Sequence, residues 1–222
     1  MIIDIFTKQV LYVHNALSDL ETHVYRLGDT LKAKFGDNVN RLVDDCYDIV
    51  NKDTLHLDTY NHGDVHNSSH DVNYVNRDIK RWNTPHPMPS NPAVIDRLAS
   101  TIGLRHVVLG YKSDAFMWMD HKYKLTQYAL TRLRTNTRSF DIYTRSDLVA
   151  HDDYIALLDN TKDRIFIYIP AHRNEEKSRI EEPGAPSVAR RLVAVAKLES
   201  LGFQVSVVNT RVKRRSVKRK VG

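Results

Sequence analysis

Between Gly103 and Val207 short apolar runs alternate with amphipathic stretches, and this alternation constrains the fold more than any other part of the chain. Arg105-His-Val-Val-Leu-Gly110 is an apolar run closed by glycine, which suits a buried strand. Over Lys122–Leu133, the residues Leu125, Ala129, Leu130 and Leu133 share one helical face. Phe140–Thr144 and Arg164–Ile169 are rich in β-branched and aromatic residues and read as strands, with a short helix over Tyr154–Leu158 between them. Ser187–Leu201 reads as a longer helix stopped by Gly202, and Phe203–Val208 as the next strand. Strands separated by helices of this length pair in parallel through right-handed crossovers, so the expected class is α/β.

Charge is distributed unevenly. Of the 33 Lys and Arg residues, seven lie in the last twelve positions, at Arg211, Lys213, Arg214, Arg215, Lys218, Arg219 and Lys220. The remaining 26 stand against 27 acidic residues, so the body is close to neutral and the basicity belongs to the tail. A positive run of this density attracts a phosphate backbone, and the absence of aromatics in it favours sequence-independent contact over base reading. A solvated tail, a localisation signal and an acidic protein partner are the competing readings. The single cysteine, Cys46, excludes an internal disulfide and a cluster held by this chain's thiolates alone. No apolar run approaches the ~20 residues needed to cross a bilayer, so a soluble intracellular protein with no membrane partner is expected.

Ahead of the alternating region, Val10, Val13, Leu17, Leu20, Val24, Leu27 and Leu31 recur at spacings of three and four. Gly36-Asp37 breaks that helix, and Val39, Leu42, Val43, Cys46, Ile49 and Val50 form a second apolar face. A helical hairpin over residues 1–51 is expected, with a dimerisation or partner-binding arm as the alternative. Segment 52–102 then holds a first strand near Leu57-Asp-Thr-Tyr60, a histidine-rich stretch and Thr84–Pro92, whose four prolines dictate an extended connection. His62, His66 and His70 are spaced by four, which on a helix would stack three imidazoles for a divalent metal. Gly63, Asn67, Ser68 and Ser69 disfavour that helix, so a polar loop is the plainer reading. Asn91-Pro92 opens a further helix over Ala93–Ile102.

Four motifs carry a resemblance that periodicity does not. They are Leu109-Gly-Tyr-Lys-Ser-Asp-Ala-Phe116 with His121-Lys-Tyr-Lys-Leu-Thr126; Thr144-Arg-Ser-Asp-Leu148; Asp152-Asp-Tyr-Ile-Ala-Leu-Leu158; and Glu182-Pro-Gly-Ala-Pro-Ser187 followed by Arg190 and Arg191. In this order they resemble the radical S-adenosylmethionine (radical SAM) superfamily, nearest its spore photoproduct lyase-like branch. The resemblance covers about residues 55–208 and implies a partial (β/α) barrel of parallel strands over 103–210, with the basic tail at 211–222. Relatives fix an iron–sulfur cluster with a C-x3-C-x2-C loop, which would fall between Asn61 and Tyr74, where this chain has no cysteine. Relatives also continue into a sixth barrel strand beyond the fifth.

The resemblance therefore implies a catalytically degenerate member acting as a binding or assembly module that contacts nucleic acid through Arg211–Lys220. No cofactor is expected on this reading. The alternative is an active enzyme using a histidine-bound metal or a cluster loop from a partner chain and acting on a nucleic acid or nucleotide; the alternative cofactors are a divalent metal, or S-adenosylmethionine bound without cleavage. The polar residues at the carboxyl ends of the expected strands, Asp114, Thr144, Arg145, Ser146 and His172, form the candidate pocket. Ser146 or Asp147 can equally cap the following helix, and Glu182 can orient Arg190 or Arg191.

Overall fold

The computed structural model describes residues 18–26, 47–60, 91–110, 113–134 and 138–210. The strands Tyr47–Ile49 (β1), Thr54–Leu57 (β2), His106–Leu109 (β3), Ser139–Thr144 (β4), Arg164–Pro170 (β5) and Gln204–Thr210 (β6) form one sheet in chain order. β1 pairs antiparallel with β2, and β2 to β6 are parallel throughout. The fold is α/β, as the alternation predicts. Parallel neighbours in sequence order have no reversal between them, so right-handed crossovers carry the helices to one face.

The register shows which face that is. Phe140 and Ile142 of β4 align with Val107 and Leu109 of β3, and Ile142 and Thr144 align with Ile165 and Ile167 of β5. These residues are almost wholly buried and share a core with Ala194, Val195 and Leu198 of the helix Val188–Ser200 (α6, numbering the helices from Asn91–Ala99 as α1). Each such side chain contributes on the order of 1.5–3 kcal/mol by leaving water. The opposite face carries Asp141, Tyr143, Arg164, Phe166 and Tyr168, of which Tyr143 and Phe166 stack with ring centres 4.5 Å apart. Gly110, at φ +84°, ends β3 because a Cβ there would lie 2.0 Å from the Tyr143 carbonyl oxygen.

α1 packs on the helix Leu125–Leu133 (α3), and Asp96 fastens the pair by accepting from Tyr128 Oη at 2.8 Å and Arg132 Nε at 2.6 Å. Residues 18–26 are helical and join the cluster through Val24, which is fully buried, and through Tyr25 Oη, which donates to Asp96. Arg138 is buried, and among the described residues no carboxylate pairs with it. Its guanidinium donates to the carbonyls of Leu98, Ala99, Thr101 and Leu104, so it closes the carboxyl end of α1.

Several expected boundaries move. The helix expected over Lys122–Leu133 is two helices, Asp120–Tyr123 (α2) and α3, parted by Lys124 at φ +57°. The buried Asp120 carboxylate accepts the Thr126 N–H at 2.8 Å and so starts α3 afresh. The short helix near Tyr154 is Asp152–Ile155 (α4), and the first parallel strand is Thr54–Leu57 rather than Leu57–Tyr60. Tyr47–Ile49, expected at the end of a second hairpin helix, is a strand, because its backbone pairs with β2. The rest of that second helix, Cys46 included, lies outside the described residues. Glu175–Glu181 (α5) is a helix that the apolar periodicity did not disclose, since only Ser178 of its residues is buried.

Candidate functional site

The carboxyl ends of the parallel strands gather four of the five expected pocket residues. Asp114 follows β3, and its Oδ1 accepts from Thr144 Oγ1 at 2.7 Å and from the Phe116 N–H at 2.9 Å. Its Oδ2 accepts the Arg145 N–H at 2.7 Å. Thr144 Oγ1 in turn accepts the Ser146 N–H, and Ser146 Oγ accepts the Leu148 N–H at 3.1 Å. Asp147 holds the N-cap position of the 3-10 turn Leu148–Ala150 but makes no side-chain bond there; Ser146 Oγ takes the turn's first N–H, and Asp147 instead accepts from Arg190 Nε at 2.7 Å. One carboxylate thus holds the ends of two neighbouring strands in fixed relation.

Arg145 leaves this knot sideways. Its Nε donates to Glu182 Oε1 at 3.2 Å, and its guanidinium carbon lies 4.8 Å from the centre of the Tyr168 ring. Glu182 Oε2 accepts from Arg191 Nη1 at 2.9 Å, and Arg191 also donates to the Tyr168 carbonyl and to Ser178 Oγ. Glu182 and Arg191 side chains have no exposure, whereas Arg145 keeps 12%. A carboxylate shared by two guanidiniums, one of them partly exposed and beside an aromatic ring, suits a planar or anionic ligand.

His172 stands apart from this group. Its Nε2–H donates to Glu181 Oε2 at 2.9 Å, a tautomer assigned because Nδ1 accepts the Asn174 N–H at 2.9 Å. The next residue, Arg173, adopts φ +51° at the turn that brings the chain off β5. His62, His66 and His70, and the tail from Arg211 to Lys220, lie outside the described residues.

Sequence reasoning missed two contributions. Asp58 at the end of β2 accepts the Ser113 N–H at 3.0 Å, and Ser113 Oγ donates to the Tyr60 carbonyl at 2.9 Å, so the ends of β2 and β3 are also joined. Beneath them Asp120 is fully buried and accepts from the hydroxyls of Tyr60 and Tyr154. Burial pushes the Asp120 carboxyl up, and the two phenols oppose that shift. Burial and the Asp120 charge push both phenols up, so neither gives up its proton near neutral pH. The position of Asp58 just past an apolar strand was the one available signal; the Asp120 cluster joins residues 60 and 34 positions apart and left none.

No family model, curated protein or solved structure matches the chain.

What the rim can do follows from its own atoms. Among the described residues it pairs no nucleophile with a base. It offers instead a braced row of strand ends, a largely buried guanidinium and an aromatic ring. A thiolate-held iron–sulfur cluster does not fit the donor set, because the chain has a single cysteine, Cys46, and three thiolates are needed.

Proposed function

We propose that the chain is a partial (β/α) barrel of radical SAM type that has lost the thiolates of its cluster and serves as a binding module. Its ligand seat is the carboxyl rim of the sheet, and its ligand is a nucleoside derivative that carries a carboxylate. The observation that carries this reading is Arg145, held between Glu182 and Tyr168 at the end of β4. The order of the four sequence motifs and the reversal-free strand order support the barrel. The basic run Arg211, Lys213, Arg214, Arg215, Lys218, Arg219 and Lys220 supports a nucleic-acid backbone as a further partner. No chemical step is assigned to the rim.

Calorimetric titration with S-adenosylmethionine and S-adenosylhomocysteine tests the seat. Binding that weakens at least tenfold in Arg145→Ala is expected, and no binding of either compound overturns the seat. Anaerobic incubation with iron and sulfide tests the lost cluster. No stoichiometric chromophore is expected. A redox-active cluster that cleaves S-adenosylmethionine, or an equivalent of bound metal lost in His66→Ala, would favour an active enzyme.

A further inference from the structure

Two imidazoles outside the rim lie against each other. His121 of α2 and His151, the N-cap residue of α4, are both exposed, yet their ring centres are 5.4 Å apart and their planes are tilted by 50°. The backbone beneath them is fixed. Asp120, next to His121, accepts from the hydroxyl of Tyr154 in α4, and both of these side chains are buried. Gln127 Nε2 of α3 donates to Asp153 Oδ2 at 2.7 Å, a second tie to α4. The His151 carbonyl accepts the Tyr154 and Ile155 N–H groups at 3.0 and 2.9 Å, and its own N–H donates to the Leu148 carbonyl at 2.9 Å. The two rings are thus exposed tips on anchored stems, so holding them together costs little chain entropy.

The spacing is that of two ligands on one ion. With Zn–N bonds of about 2.05 Å and a ring centre about 1.15 Å behind the nitrogen, two imidazoles at the tetrahedral angle have centres roughly 5.2 Å apart. At the right angle of a square-planar site the same bonds bring the centres to roughly 4.5 Å. The observed 5.4 Å matches the tetrahedral value. A 50° tilt is not the parallel overlap of stacked rings, whereas rings on one ion take any tilt, because each turns about its own bond to the metal. Among the described residues neither ring makes a hydrogen bond that would compete for its nitrogens. Asp152, with its side chain 92% exposed, and Asp153 follow His151 directly, while Lys122 and Lys197 supply opposing charge, so ligand geometry rather than the local field carries the site. Lys197 Nζ holds Asp152 at 2.6 Å, so water and not this carboxylate completes the shell.

We propose that His121 and His151 bind one divalent cation of the zinc class, with water in the remaining positions, and that the ion clamps α2 to α4. Imidazole suits zinc, copper and nickel alike, and the ring spacing selects the tetrahedral ion among them. The site is independent of the seat at Arg145 and of His62, His66 and His70.

Calorimetric titration of the metal-free full chain with zinc chloride tests the clamp. One equivalent is expected at this pair, bound at least tenfold more weakly in His121→Ala and equally so in His151→Ala. Circular dichroism should be unchanged in both, because both side chains are exposed. The double variant should lose no more than either single one, since the two rings act as a unit. His66→Ala should keep the equivalent. Zinc should raise the melting temperature of the wild type and not of either variant. Cobalt(II), used as a coloured probe, should give the intense visible absorption of a tetrahedral site in the wild type alone. No zinc binding, binding that survives the loss of either histidine, or an equivalent lost only in His66→Ala overturns the clamp.

Discussion

Arg191 and Glu182 meet with neither side chain exposed, Nη1 of the guanidinium donating to Oε2 at 2.9 Å. The two ends of this pair are not equivalent. Glu182 has a second guanidinium, from Arg145, while Arg191 Nε finds no partner among the described residues. Glu182→Gln strands a buried cation and should cost about 3–5 kcal/mol in urea unfolding. Arg191→Met leaves the carboxylate paired and should cost clearly less. Equal losses would contradict the asymmetry.

Arg138 satisfies peptide carbonyls rather than a carboxylate, and burial lowers its pKa. A lysine has a single ammonium and cannot reach the same fan of acceptors. Arg138→Lys should therefore lose about 2 kcal/mol or more through stranded carbonyls. Hydrogen exchange should rise first at the carboxyl end of α1.

The fully buried Asp120 has its pKa raised above the ordinary carboxyl value of 3.8. The folded state then holds a proton that the unfolded chain releases. The contribution to stability is complete below pH 3.8 and falls as pH rises through the folded pKa. Asp120→Asn removes the titration and can still bond to Tyr60 and Tyr154. Wild type should lose stability relative to this variant as pH rises from 3.8, with a slope of at most about 1.4 kcal/mol per pH unit. A flat difference across that range would show that the two tyrosines and the Thr126 amide offset the burial completely.

Gly110→Ala would set a Cβ 2.0 Å from the Tyr143 carbonyl at a left-handed φ of +84°. A backbone atom cannot swing aside as a side-chain tip can. A loss of at least about 2 kcal/mol is expected, with β3 and β4 exchanging together.

Truncation after Thr210 removes seven cations. Affinity for single- or double-stranded nucleic acid should fall, and its salt dependence should flatten. Unchanged affinity would assign any binding to the folded body.

The parallel strands β3 to β6 were legible because each is an apolar run, joined to a polar turn as at Leu109-Gly110 and Ile142–Arg145, and burial on the helix face leaves that pattern in the residues themselves; β2 was displaced by three residues. α5 was not legible because its contacts are polar. Its N-terminal residue Glu175 accepts the Val188 and Ala189 N–H groups of α6, and Asn174 caps α5 itself. The break at Lys124 was hidden for a different reason. Leucines on either side keep a helical spacing, and the interruption depends on a carboxylate, Asp120, whose other partners are remote in sequence. At the rim, residue types at strand ends pointed to Asp114, Thr144, Arg145 and Ser146. The contact of Arg145 with the Tyr168 ring requires knowing that β4 and β5 are neighbours in a given register.

The neighbour-by-neighbour order of β2 to β6 has an implication for tolerance to change. Asp58–Ser113 sews the first pair of strand ends and Asp114–Thr144 the second, each stitch local to its own pair. A loop rewritten beyond repair at one position would leave the seam beside it uncut, which is how such a scaffold can outlive the chemistry of any single loop.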